Sequence, residues 1–358
     1  MLNLRGYFSK RNLLSCLGVI AALGAFEIGL RPFVAGWNYP TGQVREIRQY
    51  AEGVAVSHFV PDDLSPYGYR FTGNGTIQGA PVGIILSDSH GIAESVSDRA
   101  TMSSVVERES RAMGQPLNVL MYGWYQAAAP TYVAVAPDML SKWKPEWVAV
   151  ILNKSDLSQE PVYKLGDAWY WQMTIKPDLS IELIDLRPPK PEGKIEAIRQ
   201  LMGRSTLALA LRRRTVVFAG AERPQPKAAP AEVRSESELT SKSQLTPQEQ
   251  LALVPQATIR ALKQAYGSKL IVIYTPNSPI TGSEPDPGEN LLIAACESER
   301  VRCANVRQAM LKARDEKGLL YRGFSNTPPG IGHLNELGQQ LVAQEILKIT
   351  KPGKEVAP

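Results

Sequence analysis

The chain is short of metal-binding and cross-linking residues: its 358 residues include three histidines and three cysteines. His58, His90 and His333 are scattered, and no Cys/His cluster has the spacing of a zinc site. Neither a multi-histidine metal centre nor a cofactor is expected. Strong charge of one sign is also missing, since the formal net charge is +5 and is spread over many segments. With no basic block, RNP-like motif or basic helix, nothing marks nucleic acid as a partner. What remains is an ordinary globular balance, 44% hydrophobic and 21% charged, enough for one large domain or two modest ones.

The first thirty residues depart from that balance. Arg5, Lys10 and Arg11 precede an apolar run from Leu13 to Leu30, interrupted only by Glu27. About 18 helical residues rise roughly 27 Å, close to the hydrocarbon thickness of a bilayer. The pattern predicts residues 1–12 in the cytoplasm, 13–30 as a transmembrane signal anchor, and the main domain outside the cytoplasm, periplasmic or at the cell surface. A cleaved signal peptide, cut near the small residues Ala22 to Ala25, is the competing reading; the length of the run favours the anchor. Cys16 lies near the start of the run, which argues against a lipoprotein signal. After export, Cys296 and Cys303 face an oxidising compartment. A disulfide between them and two buried small residues both fit.

Residues 31–80 read as a juxtamembrane segment, with a short helical stretch near Val44 to Tyr50 and Gly-rich turns around Gly73 to Gly79. Buried strands follow at Val82 to Leu86, Leu117 to Tyr122, Trp147 to Leu152 and Lys269 to Tyr274, each bounded by turn residues. Helical stretches alternate with them, and the sequence Thr246-Pro247-Gln248-Glu249 is a capping box with proline at the first helical position. Residues 222–245, rich in Pro, Ala, Ser, Glu and Lys, read as a disordered insert. Strand, polar loop and helix in repeated order signal parallel βαβ units. The expectation is one α/β domain over 81–350, three layers around a central parallel sheet, preceded by one N-terminal transmembrane helix. Functional groups in such sheets collect at the carboxyl ends of the strands.

Ser89 stands at a strand-to-helix turn, where a hydroxyl is exposed beside backbone donors. A neutral serine needs a base to become a nucleophile, and histidine titrates near neutrality. His333 supplies one from a Gly-rich loop before the last helix. His90 reads as a rim or packing residue.

These two blocks carry a resemblance. Ser87-Asp88-Ser89-His90 after a strand resembles the first block of the SGNH (GDSL-like) hydrolase family, Gly-Asp-Ser with the serine as nucleophile. His333-Leu334-Asn335-Glu336-Leu337-Gly338 resembles the last, where the catalytic histidine precedes a helix. The resemblance spans roughly residues 80–350. It implies a flavodoxin-like three-layer fold with Ser89 and His333 as the catalytic pair. The inner blocks depart from the family. Its second-block glycine aligns with Gln126, and Gly123 is the nearest glycine; its third-block asparagine aligns with Ser155, and Asn153 comes two residues early. Gly123, Gln126, Asn153 and Ser155 are therefore the candidates for oxyanion or substrate contacts. Gly330 stands where the family places an aspartate three residues before the histidine, which reduces a triad to a dyad. Alginate O-acetyltransferase-like relatives carry an Asp-x-His pair upstream of the serine, but Val56 replaces that aspartate, so His58 is not assigned to catalysis.

The resemblance implies an ester hydrolase or O-acyltransferase. Its substrate would be an acylated cell-envelope glycan, an exopolysaccharide or a small ester, and its partners would be the membrane and envelope-biosynthesis proteins. The alternative is a catalytically degenerate fold serving as a glycan- or partner-binding module in envelope polysaccharide assembly.

Overall fold

The computed structural model describes residues 18, 21–25, 44–50, 53–60, 62–65, 68–125, 127–157, 171–176, 178–185, 247–276, 280, 284–285, 287–324 and 330–350. The chain divides into two units, Met1–Val44 with Pro189–Thr240, and Arg45–Pro188 with Ser241–Pro358. In the first, residues 18 and 21–25 are helical and exposed. Most of the expected anchor over 13–30 and all of the expected insert over 222–240 lie outside the described residues, as does 241–245. Among the described residues no helix is long and apolar enough to cross a membrane.

The second unit is built on an eight-stranded sheet. In chain order its strands are β1 (Val44–Tyr50), β2 (Gly53–Val60), β3 (Tyr69–Arg70), β4 (Val82–Ser87), β5 (Asn118–Gly123), β6 (Trp147–Leu152), β9 (Leu270–Tyr274) and β10 (Arg302–Asn305). Strands β7 (Trp171–Ile175) and β8 (Ile181–Asp185) form a separate antiparallel hairpin. The sheet order is β1-β2-β3-β5-β4-β6-β9-β10. Five strands, β5-β4-β6-β9-β10, pair in parallel. Taken by their place in the chain they run 2-1-3-4-5, the flavodoxin-like order. Strand β3 joins them antiparallel through Tyr69↔Tyr122, and β2 pairs antiparallel with β3.

The central strands are continuous apolar runs because both faces are covered. Alternation decides which face each side chain enters. Ile85, Val119, Met121, Ala149, Ile151, Ile271 and Ile273 face helices α2 (Met102–Ala112), α7 (Arg307–Lys317) and α8 (Glu336–Thr350). Ile84, Leu86, Tyr122, Val148, Val150, Leu152, Val272 and Tyr274 face α3 (Ala129–Ala134), α4 (Ala136–Trp143), α5 (Pro247–Tyr266) and α6 (Pro287–Ser298). Each fully buried aliphatic side chain contributes about 1.5–3 kcal/mol of transfer free energy, so the two cores hold the sheet between its helical layers.

Two expectations change. Val44 to Tyr50 is a strand, not a helical stretch. Val44 and Ile47 are spaced like one face of a helix, but the segment takes its conformation from its neighbour β2 at the edge of the sheet. The segment read as a juxtamembrane connection thus supplies three strands, β1 to β3, to the same sheet. The cysteine alternatives are also resolved: Cys296 at the end of α6 and Cys303 in β10 form a disulfide, with Cα atoms 6.2 Å apart.

Candidate active site

Strand β4 ends at Ser87, and the chain turns at once into the four-residue helix α1 (Ser89–Ile92). Asp88 caps it, accepting the backbone N–H of His90 at 2.8 Å. The turn is possible because two glycines let backbones touch. A Cβ on Gly123, at the end of β5, would lie 2.2 Å from the Ile92 nitrogen; one on Gly91 would lie 2.9 Å from the Tyr122 carbonyl oxygen. The helix ends at Ala93, whose φ of 47° is left-handed. Ser89 is thereby presented, half-buried, at the carboxyl end of β4, the strand where the sheet order reverses.

His333 reaches the same place from the other end of the chain. Its Nε2 is 2.8 Å from Ser89 Oγ, and the imidazole is exposed to solvent. The Gly323 N–H donates to the His333 carbonyl at 3.0 Å, and Arg322 and Leu334 form an isolated antiparallel bridge. Gly330 has φ +73° and Gly332 φ +113°, conformations that glycine adopts without a steric cost. An aspartate at position 330 would have to take the left-handed conformation. A Cβ there would approach the Leu320 side chain at 3.6 Å.

A small cleft of about 80 Å³ opens beside the pair, lined by Ala93, Glu94, Ser95, Val96, Tyr125, Phe324 and Leu334 as well as Ser89, His90 and His333.

Asp88 and Asn153 lie behind the serine. The Asn153 side-chain amide donates to Asp88 Oδ2 at 3.2 Å, linking the ends of β6 and β4, and the Asn153 backbone N–H donates to Asp156 Oδ2 at 2.7 Å. Burial pushes the Asp156 carboxyl well above the usual carboxylate range, and the neighbouring charge of Asp88 pushes it further. Burial also opposes ionisation of Asp88. There the positive charge that His90 carries when protonated and the hydrogen bonds it donates, with the charge of a protonated His333, prevail and hold the carboxyl far below its ordinary value. The two carboxyls are driven apart, Asp88 toward the ionised form and Asp156 toward the protonated one.

Of the remaining candidates, Gly123 lies against α1, where its lack of a side chain is a steric requirement. Ser155 falls in the 3₁₀ turn Lys154–Leu157, and its side chain lies outside the described residues, as does Gln126 altogether. His58 is buried against Asp98. Its Nδ1 meets Asp98 Oδ2, whose other oxygen binds Arg70 at 3.1 Å. Three residues not singled out from sequence complete the surroundings. Asp88 holds the His90 ring, Arg322 donates to the other side of that ring, and buried Gln339 donates to the His90 carbonyl at 2.9 Å. Among the described residues no group of three His, Cys, Asp or Glu side chains could hold a metal ion.

Fold and site together define a doubly wound α/β protein with a serine–histidine contact at the carboxyl ends of its parallel strands. No family model and no curated protein matches the chain. Solved structures do. A two-domain esterase active on acetylated mannans is 12% identical, with a TM-score of 0.38, over 75% of this chain and 48% of that one. A lipase/acylhydrolase from Enterococcus faecalis is 15% identical, with a TM-score of 0.37, over 76% and 99%. A putative lipolytic protein of the G-D-S-L family from Desulfitobacterium hafniense DCB-2 is 13% identical, with a TM-score of 0.35, over 75% and 98%. The chain spans about half the length of the mannan esterase. One of these neighbours bears the name of the family that residues 87–90 and 333–338 resemble. Likeness this slight carries no function across, and the residues of the site have to carry it.

Proposed function

We propose that this protein is a serine ester hydrolase acting outside the cytoplasm on an acylated carbohydrate, tethered to the membrane by its N-terminal segment. The observation that carries the reading is the 2.8 Å contact between Ser89 Oγ and His333 Nε2 at the edge of a cleft. With the serine hydroxyl as donor, the imidazole accepts its proton as Oγ attacks the ester carbonyl, then returns it to the departing sugar alcohol. Water then resolves the acyl-enzyme; a sugar hydroxyl in its place would make the protein an O-acyltransferase. The backbone N–H of Ser89 and the side-chain amide of Asn153 are the proposed oxyanion donors. The small cleft, with Glu94, Ser95 and Tyr125 among apolar neighbours, suits a short acyl group on a polyol. The basic flank before Leu13 to Leu30 and the Cys296–Cys303 disulfide support export.

The test is phosphonate labelling and hydrolysis of p-nitrophenyl acetate by the full chain. The label should map to Ser89. Ser89→Ala should lower kcat by roughly a thousandfold or more, His333→Ala should do comparable damage, and both variants should keep the parent's melting temperature within a few degrees. Absence of any Ser89-dependent label or turnover would remove the hydrolase reading and leave the fold as a binding module for glycans.

A further inference from the structure

Backbone pairing holds the chain at His333 itself, where the Gly323 N–H meets its carbonyl, and the approach to it runs through two glycines. Glycines at 330 and 332 both take positive φ, and the imidazole is exposed. Yet a base misplaced by about 1 Å costs on the order of 10²-fold in rate. A side-chain contact on the approach side of the loop adds to that backbone hold.

Arg322 has the contacts to do so. It is 4% exposed. Its Nη1 donates to the Gly332 carbonyl at 3.1 Å and to His90 Nε2 at 2.8 Å, and its Nη2 donates to the Pro276 carbonyl at 2.8 Å. These acceptors belong to three segments: the base loop, the nucleophile helix α1 and the turn after β9. A guanidinium has donors only, so the His90 Nε2 must accept, and the His90 proton resides on Nδ1. That Nδ1 lies 2.8 Å from Asp88 Oδ1. A continuous chain of hydrogen bonds therefore runs Asp88–His90–Arg322–Gly332. It begins at the residue before Ser89 and ends at the residue before His333. The His90 and His333 rings lie 5.2 Å apart, so a change in one is felt at the other.

We propose that Arg322 is a positioning residue for the base. It fixes His333 against Ser89 by tying the Gly332 carbonyl to His90, which is held by Asp88 as the Nδ1–H tautomer to receive it. The inference rests on the Ser89–His333 reading for its catalytic consequence and on geometry alone for the tautomer and the loop.

The test uses the full chain and Arg322→Gln, Arg322→Lys and His90→Ala, with Arg307→Lys as control. Arg307 is also a buried arginine, paired with Glu289 at 2.8 Å in the helical layers, so it reports the cost of disturbing a buried guanidinium as such. Two readouts are taken: kcat and KM on p-nitrophenyl acetate, and long-range imidazole ¹⁵N spectra. With three histidines in the chain, single substitutions assign every ring. The expected results are a protonated Nδ1 and bare Nε2 on His90 in the parent, and a fall in kcat of about 10- to 100-fold in Arg322→Gln with KM within about threefold. Arg322→Lys should lose less, because an ammonium can keep one of the three acceptors. The His333 signals should shift or broaden in both. Arg307→Lys should lower the melting temperature and leave kcat of the folded protein unchanged. A kcat within twofold of the parent in folded Arg322→Gln, or a His90 protonated on Nε2, overturns the proposal. If Arg322→Gln does not fold, His90→Ala removes the same link from the other end and must reproduce the loss of kcat. If the parent has no Ser89-dependent turnover, the hydrolase reading falls on its own. The positioning claim is then decided by the spectra: unchanged His333 signals in the Arg322 variants overturn it, and displaced ones uphold it.

Discussion

Asn153 donates its side-chain amide to Asp88 across the gap between β6 and β4, 3.2 Å from nitrogen to oxygen. The bond joins the ends of two parallel strands directly behind the nucleophile turn, at the point where the sheet order reverses. An asparagine amide has two hydrogens. One of them is thus engaged in holding Asp88, and through it the His90 ring, so Asn153 serves the shape of the turn whatever it offers to a substrate.

The closest approach at that turn yields a first prediction. The backbone nitrogen of Ile92 and carbonyl carbon of Gly91 would lie 2.2 and 2.6 Å from a Cβ at position 123. Backbone atoms cannot swing aside as a side chain can, so Gly123→Ala must displace α1 and Ser89 with it. Overpacking of this kind costs about 1–3 kcal/mol. The kcat should fall by more than the folded fraction does. Gly83→Ala is the comparison. Its Cβ would meet the Trp147 ring at 2.1 Å, away from the turn, so it should lower the melting temperature and spare kcat. Equal kinetic effects of the two substitutions would contradict the steric role.

The turn also shows what could be read from the chain and what could not. Strands β4, β5, β6 and β9 were legible because burial on both faces makes each a continuous apolar run. Val44 to Tyr50 was misread because a strand at the sheet edge is set by pairing, and its spacing of Val44 and Ile47 imitates a helix. Ser89 and His333 stood out because each lies at an element boundary within a recognisable block, and the structure brings them into contact. Arg322 and Gln339 carried no such mark. Each meets His90 across 232 and 249 residues of sequence respectively, and no local pattern encodes an encounter at that range. His90 itself, read as a rim or packing residue, turns out to connect all of them.

The disulfide supports a second prediction. Cys296 and Cys303 are seven residues apart, and the link closes a short loop between α6 and β10. In the chain-entropy account a loop of this length stabilises by about 2.5 kcal/mol. Denaturation by urea with and without reductant should show the midpoint falling on reduction. The double variant Cys296→Ala/Cys303→Ala should behave like the reduced protein and be insensitive to reductant. A parent whose midpoint ignores reductant would show that the link is not formed in solution.

The carboxyl pair leads to a third, in the pH dependence of stability. Burial first, and the charge of Asp88 second, raise the Asp156 carboxyl above its unfolded value of about 3.9. A group with a raised folded-state pKa contributes stability that is complete below its unfolded pKa and is lost as pH rises through the folded one. Between those limits the folded state holds one more proton than the unfolded state, so stability falls by about 1.4 kcal/mol per pH unit. Asp88 acts in the opposite sense. Its pKa is lowered on folding, so its contribution is present above about pH 4 and disappears as the solution becomes more acid. Asp156→Asn separates the two. The amide is neutral at every pH, and its oxygen can still accept the Asn153 N–H that Asp156 Oδ2 accepts at 2.7 Å. In the difference between melting curves of parent and variant from pH 4 to 8, groups that do not interact with Asp156 cancel, and Asp88, held far below its ordinary value, stays ionised in the fold across that range. The variant should be matched or exceeded by the parent near pH 4 and should become the more stable protein as pH rises. A variant that loses stability against the parent at pH 8 would mean that Asp156 is ionised in the fold and held by a partner, and the assignment of the proton within the pair would have to be reversed.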